Sequence, residues 1–386
     1  MGCNFFRIHV NWDKNCATPP LRRERRTTMP AISDTAGTAR RNIPIDAAKT
    51  VAIFGTLLIH ASAAGGFAGE VGAFGWTSAL FWNSLIRCAV PLFLLCSGAL
   101  LLPPEKPVTI RAVWRKYIPR IAVALFFWAA AYSGWSLLLV KHRTGILEAA
   151  AIRQALVDLL LFRHKSHLYY LHMTLLVYAV LPLMRLFVEK ADRRLLRYAL
   201  GVWFLLGCVM PAARNFPPLS LIGGIPAQYA INLTWGAVGY GVLGYALRRE
   251  AGKYRPRTFA LLYLAGFLLT FGATWALSVR RGELVQIFLQ GTAPGVCLQA
   301  AGIYGFCVSA FSRKDCWPVA ETISKASFCV YLVHLFFLDF LTGRGLSAGA
   351  YPSIWAVPVL TAVLFCGGFL VWLVLRKIPV VNRYLI

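Results

Sequence analysis

The chain has 386 residues, 58% hydrophobic and 14% charged, and its 40 Lys and Arg against 15 Asp and Glu give a formal net charge of +25. That apolar content excludes a water-soluble fold and a disordered chain, and the cysteines show no framework spacing, which excludes a disulfide-stapled scaffold. In a polar protein such a charge would point to nucleic acid; on a chain this apolar it needs another explanation.

Residues 1–45 are basic and lack an apolar h-region, which predicts a disordered, cytoplasmic N-terminal segment with no cleavable signal peptide. Met-Gly-Cys at the start suggests lipidation, but the myristoylation pattern wants Ser or Thr at position 6, where this chain has Phe6. A true start at Met29 is an equally plain reading. About ten apolar runs follow, each close to the roughly 20 residues that cross a hydrocarbon core of about 30 Å. They cover 46–65, 79–102, 117–140, 168–188, 195–213, 228–247, 258–279, 285–311, 320–342 and 352–375. The expected fold is therefore all-α, a polytopic membrane helix bundle over 46–376 with a short tail at 377–386. Between the third and fourth runs, 141–167 has an apolar middle interspersed with Glu148, Arg153, Gln154 and Asp158. It reads as an external amphipathic helix lying on the membrane interface, with a short re-entrant segment as the alternative.

Ten crossings sort the cations. Both termini and the loops near Lys106, Lys190, Arg248 and Arg313 hold most of the 40 basic residues, and the loops near Glu70, Lys141, Arg214, Arg280 and Arg344 hold fewer. By the positive-inside rule both termini are cytoplasmic, and the charge labels topology rather than a nucleic-acid partner. Cys88, Cys96, Cys208, Cys297, Cys307, Cys329 and Cys366 fall in apolar runs, and no CxxC occurs. They are expected to be reduced, with no metal site. Gly239-Tyr-Gly241-Val-Leu-Gly244 satisfies a dinucleotide-loop search but lies inside a hydrophobic run, where it predicts close helix packing.

Ionisable groups within spans are costly, so each asks for a reason. In the first run Asp46 and Lys49 are three residues apart, and Lys49 and His60 eleven apart. All three share one helical face, with the last two about 16 Å apart along the axis. The second run places Arg87 amid apolar residues ahead of Pro91, Ser97 and Gly98, and Arg115, Lys116 and Arg120 form a basic entry to the third. His167, Tyr170, Tyr331 and His334 occupy later runs.

These residues resemble the acyltransferase-3 group of bacterial multi-pass O-acyltransferases. The acid, two residues, base, ten residues, His pattern matches Asp46, Lys49 and His60, although the family usually has Arg where this chain has Lys49. Arg87 to Gly98, Arg115 to Arg120, the His167 to Tyr170 stretch and Ser327 to His334 are similar to its other motifs. Within the family the pattern looks nearest to the inner-membrane O-acetyltransferases of surface polysaccharide, the enterobacterial common antigen type among them. The resemblance implies acetyl transfer from acetyl-CoA, a co-substrate rather than a permanently bound cofactor, to a surface glycan or lipid-linked saccharide. It implies His60 as general base with Asp46 and Lys49, phosphate binding by Arg87, Arg115, Lys116 and Arg120, and support from Ser97, His167, Tyr170, Tyr331 and His334. The rival expectation is a transporter or flippase for an anionic glycan. The acids near spans (Asp46, Glu321 and Asp339) sit toward helix ends rather than at mid-membrane, which speaks against an ion-coupled carrier.

Overall fold

The structure, a computed structural model, describes residues 42–105 and 108–386; Met29 and the rest of the basic stretch up to Arg41 lie outside the described residues. The first helix, α1 (Ile43–Ala63), starts at Asn42, whose side chain accepts from the Ile45 N–H, with Pro44 in the opening turn and Asp46 complementing the helix dipole. Next come α2 (Phe74–Leu85) and α3 (Ala89–Leu101). A short turn (Ile110–Ala112) and a π-helical turn (Val113–Tyr117) lead into α4 (Ile118–Thr144). They are followed by α5 (Ala149–Leu160), α6 (Tyr169–Lys190) and α7 (Arg193–Phe204), the last prolonged by a π-helical turn as far as Ala213. The remainder is α8 (Leu233–Arg249), α9 (Pro256–Arg281), α10 (Pro294–Phe311), α11 (Pro318–Gly343), α12 (Ser353–Leu375) and the short α13 (Pro379–Tyr384).

Among the described residues all regular structure is helical, and nine helical runs are long and apolar enough to cross a membrane. The tenth expected run, 228–247, is α8, which has 17 residues. It is shorter than its apolar stretch because Ile225–Tyr229 winds as a 3-10 turn and Asn232 caps the helix at the Trp235 N–H. The second expected run also differs. It begins five residues earlier than the apolar run, at Phe74, and breaks at residues 86–88. Arg87 lies in that break, its guanidinium bonded to the Leu289 carbonyl and to Asn83 Oδ1.

The first helix is the axis of the bundle, packed against α2, α3, α10, α11 and α12. The glycine-rich stretch of α8 lies against α3: a Cβ on Gly98 would meet the Gly241 carbonyl oxygen at 2.0 Å, and one on Gly244 the Leu95 carbonyl oxygen at 2.1 Å. The GxGxxG pattern is thus a backbone-to-backbone contact between helices. Six of the expected thiols (Cys88, Cys96, Cys208, Cys297, Cys307 and Cys329) are buried and free, and Cys366 is free but exposed. In contrast, α5 buries none of its residues. Ile152, Leu156 and Leu160, spaced at i, i+4 and i+8, keep an apolar stripe exposed, while Gln154 bonds Asp158 on another face.

Candidate functional site

Packed at the centre, α1 carries two functional groups into two different compartments. Near its N-terminal end Lys49 enters a cavity of about 270 Å³, lined also by Ser97, Arg120, Tyr170, Tyr178 and Tyr331. The Ser97 hydroxyl donates to the Phe93 carbonyl at 3.0 Å, and Arg120 donates to the Ile386 carbonyl at 3.1 Å. Five of the expected site residues (Lys49, Ser97, Arg120, Tyr170 and Tyr331) therefore meet around one cavity. Asp46 is buried one turn before Lys49, and Arg115 and Lys116 are exposed on the π-helical turn that leads toward the cavity.

At the other end of α1, His60 stands among histidines brought in by two other segments. Its ring centroid is 4.9 Å from that of His334 on α11 and 6.4 Å from that of His167, and the latter two are 5.4 Å apart. The His334 Nδ1 lies 2.7 Å from the Tyr331 carbonyl oxygen. A carbonyl only accepts, so Nδ1 carries the proton and Nε2 presents a lone pair. Among the described residues that Nε2 has no hydrogen-bond partner, and neither ring nitrogen of His167 has one. Buried polar atoms without partners are uncommon, and three of them converge here. His167 and His334 are fully buried, whereas His60 is only half-buried and so remains approachable. No three His, Cys, Asp or Glu side chains among the described residues converge as metal ligands, this cluster included.

Arg87 belongs to the histidine end, away from the cavity lining. Its Nε donates to the Leu289 carbonyl at 2.6 Å and its Nη1 to Asn83 Oδ1 at 3.0 Å. Asn83 Nδ2 in turn donates to the Ile59 carbonyl at 3.2 Å and to Ser62 Oγ at 2.9 Å, on either side of His60. The structure sets Arg87 apart from the cavity that Lys49 and Arg120 line: the break between α2 and α3 leaves it a turn away from Asn83, whose amide bonds the far end of α1. Asn83 is the residue that sequence reading missed, although an amide four residues before a buried arginine is a legible signal.

A layer of aromatic rings divides the compartments. Tyr331 lines the cavity on one side, and its hydroxyl donates to the His167 carbonyl on the other. Tyr170 lies 5.5 Å from the Tyr331 ring, and Phe93 lies 5.9 Å from Tyr170. Tyr132 closes the back of the cluster, its ring 4.9 Å from His167 and its hydroxyl donating to the Leu332 carbonyl at 2.7 Å.

The described residues thus form a multi-helix membrane protein with a basic cavity at one end of its central helix and a histidine cluster at the other. The acyltransferase domain family Acyl_transf_3 matches residues 42–376, and the chain belongs to it. It is accordingly a multi-pass membrane acyltransferase. Neither the comparison with curated proteins nor that with solved structures found a match.

Proposed function

We propose that this acyltransferase moves an acetyl group from acetyl-CoA to a hydroxyl of a cell-surface polysaccharide or its lipid-linked precursor, the O-acetyltransferase type to which its motifs look nearest. On this reading it works in the bacterial inner membrane with both termini cytoplasmic. The observation that carries the proposal is that one helix places Lys49 in the basic cavity and His60 in the histidine cluster, with the rings of Tyr170 and Tyr331 in the layer between the two. Pockets for drug-sized ligands run to about 300–1,000 Å³, so this cavity suits a thioester arm with the nucleotide left outside. Lys49 and Arg120 suit phosphate oxygens at its mouth, and the exposed Arg115 and Lys116 add attraction for an anion. Asp46, buried a turn from Lys49, complements the dipole at the inner end of α1.

His60 takes the proton of the acceptor hydroxyl while that oxygen attacks the thioester carbonyl. The new C–O bond forms, the C–S bond breaks, and the thiolate leaves and takes up a proton. His334, fixed by the Tyr331 carbonyl, orients or shares the proton held by His60. Arg87 and Asn83 hold the segment of α1 that presents His60.

The test is transfer of radiolabel from acetyl-CoA to candidate glycan by the purified full chain. His60→Ala should abolish labelling at unchanged membrane level, and retained activity would remove His60 as the base. Glycan movement across the membrane without labelling would instead favour the carrier.

A further inference from the structure

We infer that the histidine end of the bundle carries a binding site for a lipid-linked saccharide, formed by two adjoining cavities that share Ala230, Ile231 and Asn232. The inference deepens the acyl-transfer reading and rests on it for the identity of the acceptor. The first cavity, of about 470 Å³, is lined by Arg214, Asn215, Asn232, Gln286, Gln290 and Thr292 among others. Asn232 Oδ1 is engaged by the Trp235 N–H and Asn215 Nδ2 by the Pro211 and Ala212 carbonyls, which leaves Asn232 Nδ2 as a donor, Asn215 Oδ1 as an acceptor and the Gln286 amide as both, a mixture that matches the hydroxyls of a sugar. No carboxylate lines this cavity, and Arg214 carries the only charge in its wall. Among the described residues the Arg214 guanidinium forms no internal hydrogen bond or ion pair, so its planar fork is free for an anionic oxygen pair such as a phosphate.

The second cavity, of about 520 Å³, is lined by Trp203, Tyr229, Trp235 and Val238. Tyr229 and Trp235 are 56% and 53% exposed on the flank of a membrane helix bundle, where amphipathic rings settle at the interface between lipid and water. A soluble polysaccharide would use the amide cavity alone. A sugar joined through phosphate to a prenyl chain uses all three features: amides for the sugar, Arg214 for the phosphate and the aromatic cavity for the start of the chain.

The same wall is tied to the histidine cluster through hydrogen bonds. Gln286 and Gln290 bracket Leu289, whose carbonyl accepts from Arg87, and the neighbouring Gly291 carbonyl accepts from the Tyr240 hydroxyl at 2.6 Å. Through Arg87 and Asn83 this segment is tied to α1 on either side of His60. A saccharide held in the amide cavity thus rests on the strand of chain that is anchored to the catalytic helix.

The experiment measures binding of a polyprenyl diphosphate bearing one N-acetylhexosamine to the full chain in lipid nanodiscs, without acyl donor. Arg214→Ala and the pair Gln286→Ala with Gln290→Ala should each weaken binding at least ten-fold and raise KM for this acceptor in parallel. Arg214→Lys should recover part of the loss, and KM for acetyl-CoA should not move. Thermal unfolding of each variant reports folding; these side chains are exposed, so wild-type behaviour is expected. Unchanged affinity in both variants, or equally tight binding of the free saccharide, overturns the site. Because binding is read without chemistry, the two readings separate. Wild-type binding with no acylation would sink the transfer reading and leave the site standing. Acylation of the lipid-linked acceptor unaffected by Arg214→Ala would sink the site and leave transfer standing.

Discussion

Lys49 and His60 occupy one face of one helix yet meet different surroundings, and that separates their expected phenotypes. Lys49→Ala removes a charge from the cavity wall, where a hydrogen bond to a charged group contributes about 1.5–3 kcal/mol. Steady-state kinetics should show KM for acetyl-CoA raised about ten-fold or more with kcat little changed, and Lys49→Arg should keep most of the affinity. His334→Ala removes the imidazole beside His60 and should lower kcat by about 100-fold, the low end for loss of a proton-transfer group, with KM for acetyl-CoA unmoved. A change confined to KM would make His334 a binding residue instead. The spacing of Lys49 and His60 was legible because helical periodicity is local. His167 and His334 lie in segments far from His60 in sequence, and only packing unites them; their motifs pointed to them but no spacing could. Arg87 was legible as a buried cation but not as a partner of Asn83, because an apolar run does not announce where its helix will break.

Helix contacts are where the glycines separate. Gly98→Ala would drive a Cβ into the Gly241 backbone, and overpacking of this kind costs about 1–3 kcal/mol; α3 would have to move away from α8. Detergent-solubilised Gly98→Ala should unfold at a visibly lower temperature. Gly201→Ala, on the exposed face of α7 with nothing within 4 Å, should leave the unfolding temperature equal or slightly higher, since Ala exceeds Gly by up to about 1 kcal/mol in a helix interior. Equal behaviour of the two variants would contradict the α3–α8 contact. The existence of the crossings was readable because hydrocarbon thickness imposes one length on all of them. The short α8 was not: its boundary is set by the Asn232 cap and the 3-10 turn before it, local geometry that hydropathy averages away.

At the scale of the whole molecule the cation asymmetry makes a statement about sidedness. Cys316 is exposed in the connection between α10 and α11, on the side the positive-inside rule assigns to the cytosol. In a variant that keeps only this cysteine, a membrane-impermeant maleimide should label inverted vesicles and spare intact cells; the reverse pattern would invert the topology. That assignment came from sequence alone, because the bundle is indifferent to which way it faces. The aromatic partition formed by Tyr170 and Tyr331 bears on the same scale. A continuous aqueous passage past α1 would leak protons down the electrochemical gradient whenever the enzyme idled. On the proposed reading only the uncharged thioester end of the donor has to reach past the partition, while the phosphates and their charge stay on the Lys49 side.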